Sequence, residues 1–453
     1  MEAHRYPLVM LMVAAAALPA PAQADSVTPK ASIEDRVTAL EDELRASRAL
    51  IQEQRDIIQK QNEKQDIDVS QGTPLDPFLQ SVNIGGHIAA SYGYSFNNPG
   101  VNAGANTLCS FQCNHNELSL DAAKLEIGRP ASEPGKVGFQ FDLLFGQNAN
   151  IQAGLAPSVD SNSTPTGVSS DQEIFLQQAY ASYNANGIEL KLGKFETLLG
   201  YELFDTDANA NITQGVLFTF AIPAFHTGLL TGGAFSEELT WNAGFVNGFN
   251  NTRESGDAKA FMGRLGYARG PALVALSSFI GTLGETRLSS TGQTVGDNSR
   301  DTQIYDLILE YKPSDRLKTW ANFDVGRTDN GMPGTDPTFF GVALGTKMQL
   351  SDKLYLAIRG EYMNDDQGSR FGPLGLLIGA IGPESLDEID VYTGTVTLGY
   401  QLGPGLLARL EYRHDDVDCD SSCNFFPDSN SPAGPEGEDT NDLALFELVY
   451  SFD

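Results

Sequence analysis

FELVYSFD, residues 446–453, decides how this chain is read. Counting by twos, Phe446, Leu448, Tyr450 and Phe452 form one apolar, aromatic face. Glu447, Val449 and Ser451 form the other, and only Asp453 follows. Side chains alternate across a strand, so this is a strand with one greasy and one wet side. A half-buried strand of a soluble sandwich has the same pattern. The number of such segments and their connections separate the two readings. In lipid every backbone N–H and C=O must find a partner within the protein, so a spanning sheet has to close on itself. A terminal strand with one apolar face can supply the closing edge.

The alternation recurs along the chain. Val82, Ile84, Gly86, Ile88, Ala90, Tyr92, Tyr94 and Phe96 share a face, opposed by Asn83, Gly85, His87, Ala89, Ser91, Gly93 and Ser95. Val137, Phe139, Phe141, Leu143 and Phe145 oppose Gly138, Gln140, Asp142 and Gly146. Val342, Leu344, Thr346, Met348 and Leu350 cross a turn at 351–353 to Leu354, Leu356, Ile358, Gly360 and Tyr362. Gly341, Gly345, Lys347, Gln349, Arg359 and Glu361 lie behind them. Residues 392–402 and 406–412 pair across Gly403-Pro404-Gly405 in the same way.

The connections alternate too. Short turns fall at 131–136, 185–187, 236–238, 269–271, 313–315, 351–353 and 403–405. Longer polar loops fall at 97–115, 148–172, 196–224, 249–257, 284–301, 328–338, 365–388 and 415–441. Seven short turns and eight long loops imply about sixteen antiparallel strands, with both ends of the barrel on the short-turn side. The fold class is therefore all-β, a transmembrane barrel whose greasy face meets lipid and whose polar, Gly-rich face lines a wet lumen. Tyr92, Tyr94, Phe96, Tyr362 and Tyr412 end upward strands, whereas Tyr400, Tyr450 and Phe452 end downward ones. They predict an aromatic belt at each membrane interface. The strand signal is weakest at 175–183 and 212–235.

The segment ahead of residue 81 has a different character. His4 and Arg5, an apolar core from Leu8 to Leu18 and Ala22-Gln23-Ala24 before Asp25 predict a signal peptide over 1–24. The apolar run is too short to span a bilayer as a helix, and no run of eighteen apolar residues follows. Over 25–65, Ser32 and Asp35 form a helix start, after which Ile33, Val37, Leu40, Leu44, Ser47, Ile51, Gln54, Ile58 and Gln61 fall on a heptad seam. This predicts a coiled-coil stalk, although a lone charged helix has a similar composition. Ser47, Gln54 and Gln61 weaken the seam but can fix register and oligomer number, and a homotrimer is the expected assembly. Such a stalk is also a candidate contact for peptidoglycan. Residues 66–80 read as a linker and 81–453 as the barrel. A net charge of −30 and a pI near 4.4 argue against nucleic acid as a partner.

Gly193-Lys194-Phe195 through Gly200-Tyr201-Glu202, together with FTFAIPAFHTG at 218–228, resembles the OmpL-like family of outer-membrane β-barrel porins. The resemblance covers roughly residues 80–453. It implies a porin in the outer membrane of a Gram-negative type of cell, surrounded by outer-membrane lipid and passing small hydrophilic solutes passively. The chain departs from the pattern by its added coiled coil and by Asp453 after the terminal Phe452.

By strand phase the lumen carries Lys191, Arg264, Lys318, Lys347, Arg359, Arg409 and Arg413. The facing acids are Asp142, Glu189, Asp306, Glu310, Asp324, Glu361, Glu411 and Glu447, so the wall is near balance. The acidic excess sits in loops. Residues 415–442 hold nine acids and no Lys or Arg, and the third long loop contributes Glu196, Glu202, Asp205 and Asp207. In general porins a loop at this position folds into the pore. Those four acids are therefore the expected constriction, facing lumen arginines across a transverse field that favours cations. The blander reading is that lumen charges pair across strands and loop acids only solubilise a surface.

No cofactor or metal is implied, since EF-hand spacing is absent. The histidines His87, His115, His226 and His414 sit beside no recognisable nucleophile motif, so an enzyme is not expected. The alternative to a porin is a structural anchor, tethered to the cell wall through its coiled coil. The cysteines form two C-x-x-x-C pairs, and export favours disulfides. Local bridges Cys109–Cys113 and Cys419–Cys423 are expected. Cross-loop pairing stays open because the first and last loops are neighbours in a closed barrel, and a metal site with His115 is a weaker option. Peptide mapping without reduction should recover both local bridges; four free thiols would remove the idea.

Overall fold

The computed structural model describes residues 81–453 apart from 100–107, 110, 156–173, 253–258, 289–293, 329–335, 367–369, 372–387, 420–424, 427–437 and 453. The expected signal peptide, coiled coil and linker, residues 1–80, lie outside the described residues.

Sixteen antiparallel strands close into one barrel. They are β1 (Asn83–Ser95), β2 (Glu117–Arg129), β3 (Val137–Phe145), β4 (Ile174–Ala185), β5 (Ile188–Glu196), β6 (Phe225–Ala234), β7 (Leu239–Val246) and β8 (Ala260–Arg269). The second half comprises β9 (Ala272–Leu288), β10 (Thr294–Ser314), β11 (Leu317–Thr328), β12 (Thr338–Gln349), β13 (Leu354–Asp366), β14 (Glu388–Gly403), β15 (Leu406–Cys419) and β16 (Thr440–Phe452). Each strand pairs with its neighbour in sequence, and β16 closes onto β1 with Gly86 opposite Phe452 and Tyr92 opposite Phe446. The closing role read from residues 446–452 is thus met residue by residue. One short helix, α1 (Gln147–Gly154), follows β3, and among the described residues no helix is long and apolar enough to cross a membrane.

The alternation sorts side chains as the period-two rule requires. Ile88, Tyr94, Leu344, Ile358, Leu398, Leu410, Phe446 and Tyr450 are exposed on the outer face, where lipid would cover them. His87, Ser91, Arg359, Thr395, Arg409 and Glu447 are buried on the inner face. Outward Tyr94 and Tyr412 stand near one rim, and Tyr183, Tyr267, Tyr311, Tyr400 and Tyr450 near the other. Glycines on the inner face let aromatic rings lie along the wall. A Cβ on Gly345 would fall 2.2 Å from the Trp320 ring of the neighbouring strand, and one on Gly399 2.1 Å from the Tyr355 ring.

Three expectations change. The loop expected over 284–301 is mostly strand, because β9 runs to Leu288 and β10 starts at Thr294. The sequence there is largely polar and carries no period of two, which is why it reads as loop. Residues 415–419 belong to β15, where Asp415 and Val417 keep the alternation and are buried, and the loop expected from 148 opens with α1. The lumen is also not uniformly polar. Phe279, Ile304, Phe339, Met363, Val391 and Val417 are buried in one apolar cluster with loop residues such as Phe204, Val216, Leu217 and Ile222. A barrel of this strand number would otherwise hold a wide aqueous channel. Here much of it is filled by the chain's own third loop.

Removing residues 440–453 would strip β1 and β15 of their common partner and leave two open edges in lipid. The full chain should show heat-modifiable migration on a denaturing gel and a β-type circular dichroism spectrum. The truncated chain should lose the fast-migrating folded band. A folded band from the truncated chain would contradict closure through β16.

Candidate functional site

The third loop, residues 197–224, leaves β5 and returns to β6 through the interior of the barrel. Its path is set by backbone polarity. A segment without regular structure carries N–H and C=O groups that must be paired when buried. The wall supplies those partners. The Arg359 guanidinium donates to Thr213 O at 2.6 Å and to Thr395 Oγ1 at 3.1 Å, and ion-pairs with Glu202 and Glu361. Arg409 donates to Thr206 O, Asn209 O and Asn211 O at 2.9–3.0 Å and ion-pairs with Glu447. Arg413 donates to Gln214 O at 2.7 Å and pairs with Asp415 at 2.8 Å. The wall acids accept from the loop in turn. Glu411 takes the N–H groups of Ile212 and Thr213, while Glu361 takes those of Val216 and Leu217. A single π-helical turn, Leu217–Ala221, then buries Leu217 and Phe218.

The four loop acids singled out in the sequence have different fates. Glu202 is held by Arg359 and accepts from Gly215 N at 2.7 Å. Burial pushes its carboxyl above the usual carboxylate range, while Arg359 pulls it down. Asp205 meets Lys124 Nζ at 2.5 Å. Asp207 lies 3.3 Å from His87 Nδ1 and accepts from Ser451 Oγ at 2.7 Å. Glu196, the last residue of β5, is part of the lining of the remaining cavity. The acidic loop expected to face lumen arginines meets them directly, Glu202 at Arg359, while Asp205 meets Lys124. Arg359, Arg409 and Arg413 touch the loop directly and are at most 1% exposed. A buried guanidinium is tolerated only when paired and hydrogen-bonded, and the loop completes that pairing.

What the loop leaves open is a cavity of about 500 Å³ on the opposite side of the lumen. Arg264, Lys318, Lys347, Glu310 and Asn242 line it from the wall, and Glu196, Tyr201 and Glu202 from the loop side. Tyr201 stacks on Trp320 at 4.1 Å, and burial with the Glu310 carboxylate pushes its phenol up. Lys318 pairs with Glu310 at 3.3 Å. Lys347 lies over the Tyr355 ring at 4.2 Å. Arg264 donates to Leu198 O, and Tyr201 N donates to Asn322 Oδ1 at 2.9 Å, so the wall beside the cavity also grips the loop.

Of the lumen residues read by phase, Arg264, Lys318, Lys347 and Glu310 reach this cavity, while Arg359, Glu361, Arg409, Glu411 and Arg413 are covered by the loop. Lys191 and Glu189 pair with each other at 3.4 Å away from it. Asp142 accepts from Gln178 at 2.7 Å and lies 3.7 Å from Lys124. Lys124 escaped the sequence reading, as did Trp320 and Asn322. In β2 both Asp121 and Ala122 are buried, and the β1 register shifts at Ala89/Ala90. An extra residue of this kind flips the faces, so the simple alternation fails just before Lys124. Cys109 and Cys113 are joined by a disulfide; Cys419 is disulfide-bonded as well, and Cys423 lies outside the described residues.

Residues 81–452 match the family described as "Putative beta-barrel porin-2, OmpL-like". No curated protein matches the chain in sequence. Among solved structures, an anion-selective porin from Comamonas acidovorans is similar at 11% identity and a TM-score of 0.54, over 82% of this chain and 99% of that one. The outer membrane channel DcaP of Acinetobacter baumannii is similar at 14% identity and 0.52, over 82% and 97%. OmpT of Vibrio cholerae, in a trimer form, is similar at 10% and 0.50, over 82% and 99%.

Arg359→Ala should leave Glu202 and Glu361 buried without their partner and destabilise the protein by about 3–5 kcal/mol in denaturant unfolding. Arg359→Met combined with Glu202→Gln should recover much of that loss. A cost of the single change below about 1 kcal/mol would mean that the ion pair does not hold the loop.

Proposed function

The chain belongs to the OmpL-like family of β-barrel porins, and from that premise we propose that it is a passive outer-membrane channel for small hydrophilic solutes and ions. One observation carries the reading. The third loop fills part of the barrel interior and leaves a charged cavity of about 500 Å³ beside it. Such a cavity favours polar solutes small enough to shed little hydration.

Ion preference follows from where charge stays uncompensated. The cavity lining holds three bases, Arg264, Lys318 and Lys347, against three acids, Glu196, Glu202 and Glu310. That lining gives little net field. The acid-rich sequence of 415–442 contributes no residue to that lining among the described residues, and the proposed cation preference rests on it, through a raised local concentration of cations, rather than on the cavity. The fold neighbour whose name records a trimer supports a homotrimer here, with the expected stalk as a second contact and the peptidoglycan within its reach.

Purified full-length protein should give discrete conductance steps in planar bilayers. Absence of conductance from a folded, heat-modifiable protein would favour the anchor reading instead. In a potassium chloride gradient the zero-current potential should report cations at low ionic strength and fall toward zero as salt rises, because a surface field is screened within about 10 Å at 0.1 M. Replacing Glu196 and Glu202 by Gln should shift it less than neutralising the acids of 415–442. An anion-selective wild type would assign control to Arg264 and Lys347.

A further inference from the structure

We infer that the lumen cavity contains a binding subsite for a small carboxylate solute, built on the cross-strand pair Lys318 and Lys347. The inference names a solute class for the channel, and it rests on the channel reading for the solute's arrival. Lys318 of β11 and Lys347 of β12 stand directly opposite each other in the strand register, and both line the cavity of about 500 Å³. Side chains so placed start roughly 5 Å apart at Cβ, and like charges there repel.

The wall relieves this repulsion only in part. Lys318 has the Glu310 carboxylate at 3.3 Å. Lys347 has no ion pair and no hydrogen bond among the described residues, and its one close contact is the face of Tyr355. On its other side β13 places Ala357 opposite it, a side chain with no charge to offer. The charged groups that act on Lys347 through space are Lys318 and Arg409, both positive. The other acids of the cavity lining are engaged elsewhere. Glu202 ion-pairs with Arg359, and Glu196 lies in the field of Lys124 and Asp205. The lining as a whole is balanced, but its β11–β12 wall carries a local excess of positive charge.

Aromatic rings hold both ammonium groups in place. Lys347 Nζ lies 4.2 Å from the Tyr355 ring centroid, and Lys318 Nζ 5.2 Å from that of Tyr201. Tyr355 is fixed in turn by its hydroxyl, which donates to Ala210 O of the third loop at 2.9 Å. A ring face positions a cation without cancelling its charge. A carboxylate brings two acceptor oxygens, one for each ammonium, in charge-assisted hydrogen bonds. The cavity has the size of a small-molecule site, so the body of the solute has room beside the pair.

Succinate is the probe, with succinamide as its uncharged counterpart. Calorimetric titration of the full-length protein in detergent at low ionic strength should register succinate and not succinamide, and added salt should weaken the binding. Lys347→Gln, checked for heat-modifiable folding, should weaken succinate binding by about tenfold, the loss of one charge-assisted hydrogen bond. Lys347→Arg should retain most of it. Succinate should also protect Lys347 from acetylation by acetic anhydride, read by peptide mass spectrometry, where succinamide does not. Equal binding of succinate and succinamide to the wild type would overturn the subsite. So would unchanged affinity in folded Lys347→Gln, or a preference for inorganic phosphate over succinate. Conductance without succinate binding would remove the subsite and leave the channel, whereas succinate binding without conductance would remove the channel and leave the subsite.

Discussion

The structure depends on one constraint: three guanidinium groups, Arg359, Arg409 and Arg413, are buried inside a barrel and must be satisfied there. Cross-strand acids alone do not suffice. Arg409 faces Glu447 across β15 and β16, yet three further donations go to carbonyls of the third loop. The loop needs the wall just as much, since the N–H groups of Ile212, Thr213, Val216 and Leu217 end on Glu411 and Glu361. Irregular backbone at membrane depth is tolerated only where protein or a wet cavity accommodates it. Barrel and loop are therefore one polar unit, each supplying the partners that the other lacks.

That mutual satisfaction fixes where solutes can go. The loop makes its charged contacts with β13 to β16 and β1 to β2 and lighter ones with β8, β9 and β11, and the open cavity is lined from β7 to β12. The groups with strong charge density are spent on the closed side. The open side keeps Lys318 beside Glu310, Lys347 over an aromatic ring and Arg264 against a carbonyl. With this distribution the loop acids Glu202 and Asp205 are already engaged by wall bases.

The fold was legible in the sequence because lipid imposes a period of two on every spanning segment, and turns alternate in length with them. Residues 446–452 and 342–362 carried that signal cleanly. It failed where the physical cause was absent. Residues 284–301 are largely polar and carry no period of two, so they read as loop although β9 and β10 extend into them. An irregularity at Asp121 and Ala122 reversed the faces before Lys124, which hid the partner of Asp205. The inward apolar residues Phe279, Phe339 and Val391 fit no lumen rule, because their partners lie in loops distant in sequence. The candidate site was legible as a set of charges but not as a set of pairs. Phase says which side of the wall a residue occupies, whereas pairing of Glu202 with Arg359 depends on how a long irregular segment crosses the interior.

The distribution of anchors also bears on dynamics. The third loop is gripped at Leu198 by Arg264 and Ser277, at Tyr201 by Asn322, at Glu202 by Arg359, at Asp205 by Lys124 and at Asp207 by His87 and Ser451. These partners stand on seven different strands spread around the barrel. A lid that swings needs a hinge and a free edge, and it draws on weakly held structure. This loop has contacts along most of its length, and releasing it would strand buried charges on both sides at once. The third loop is thus built into the wall rather than hung from it as a lid.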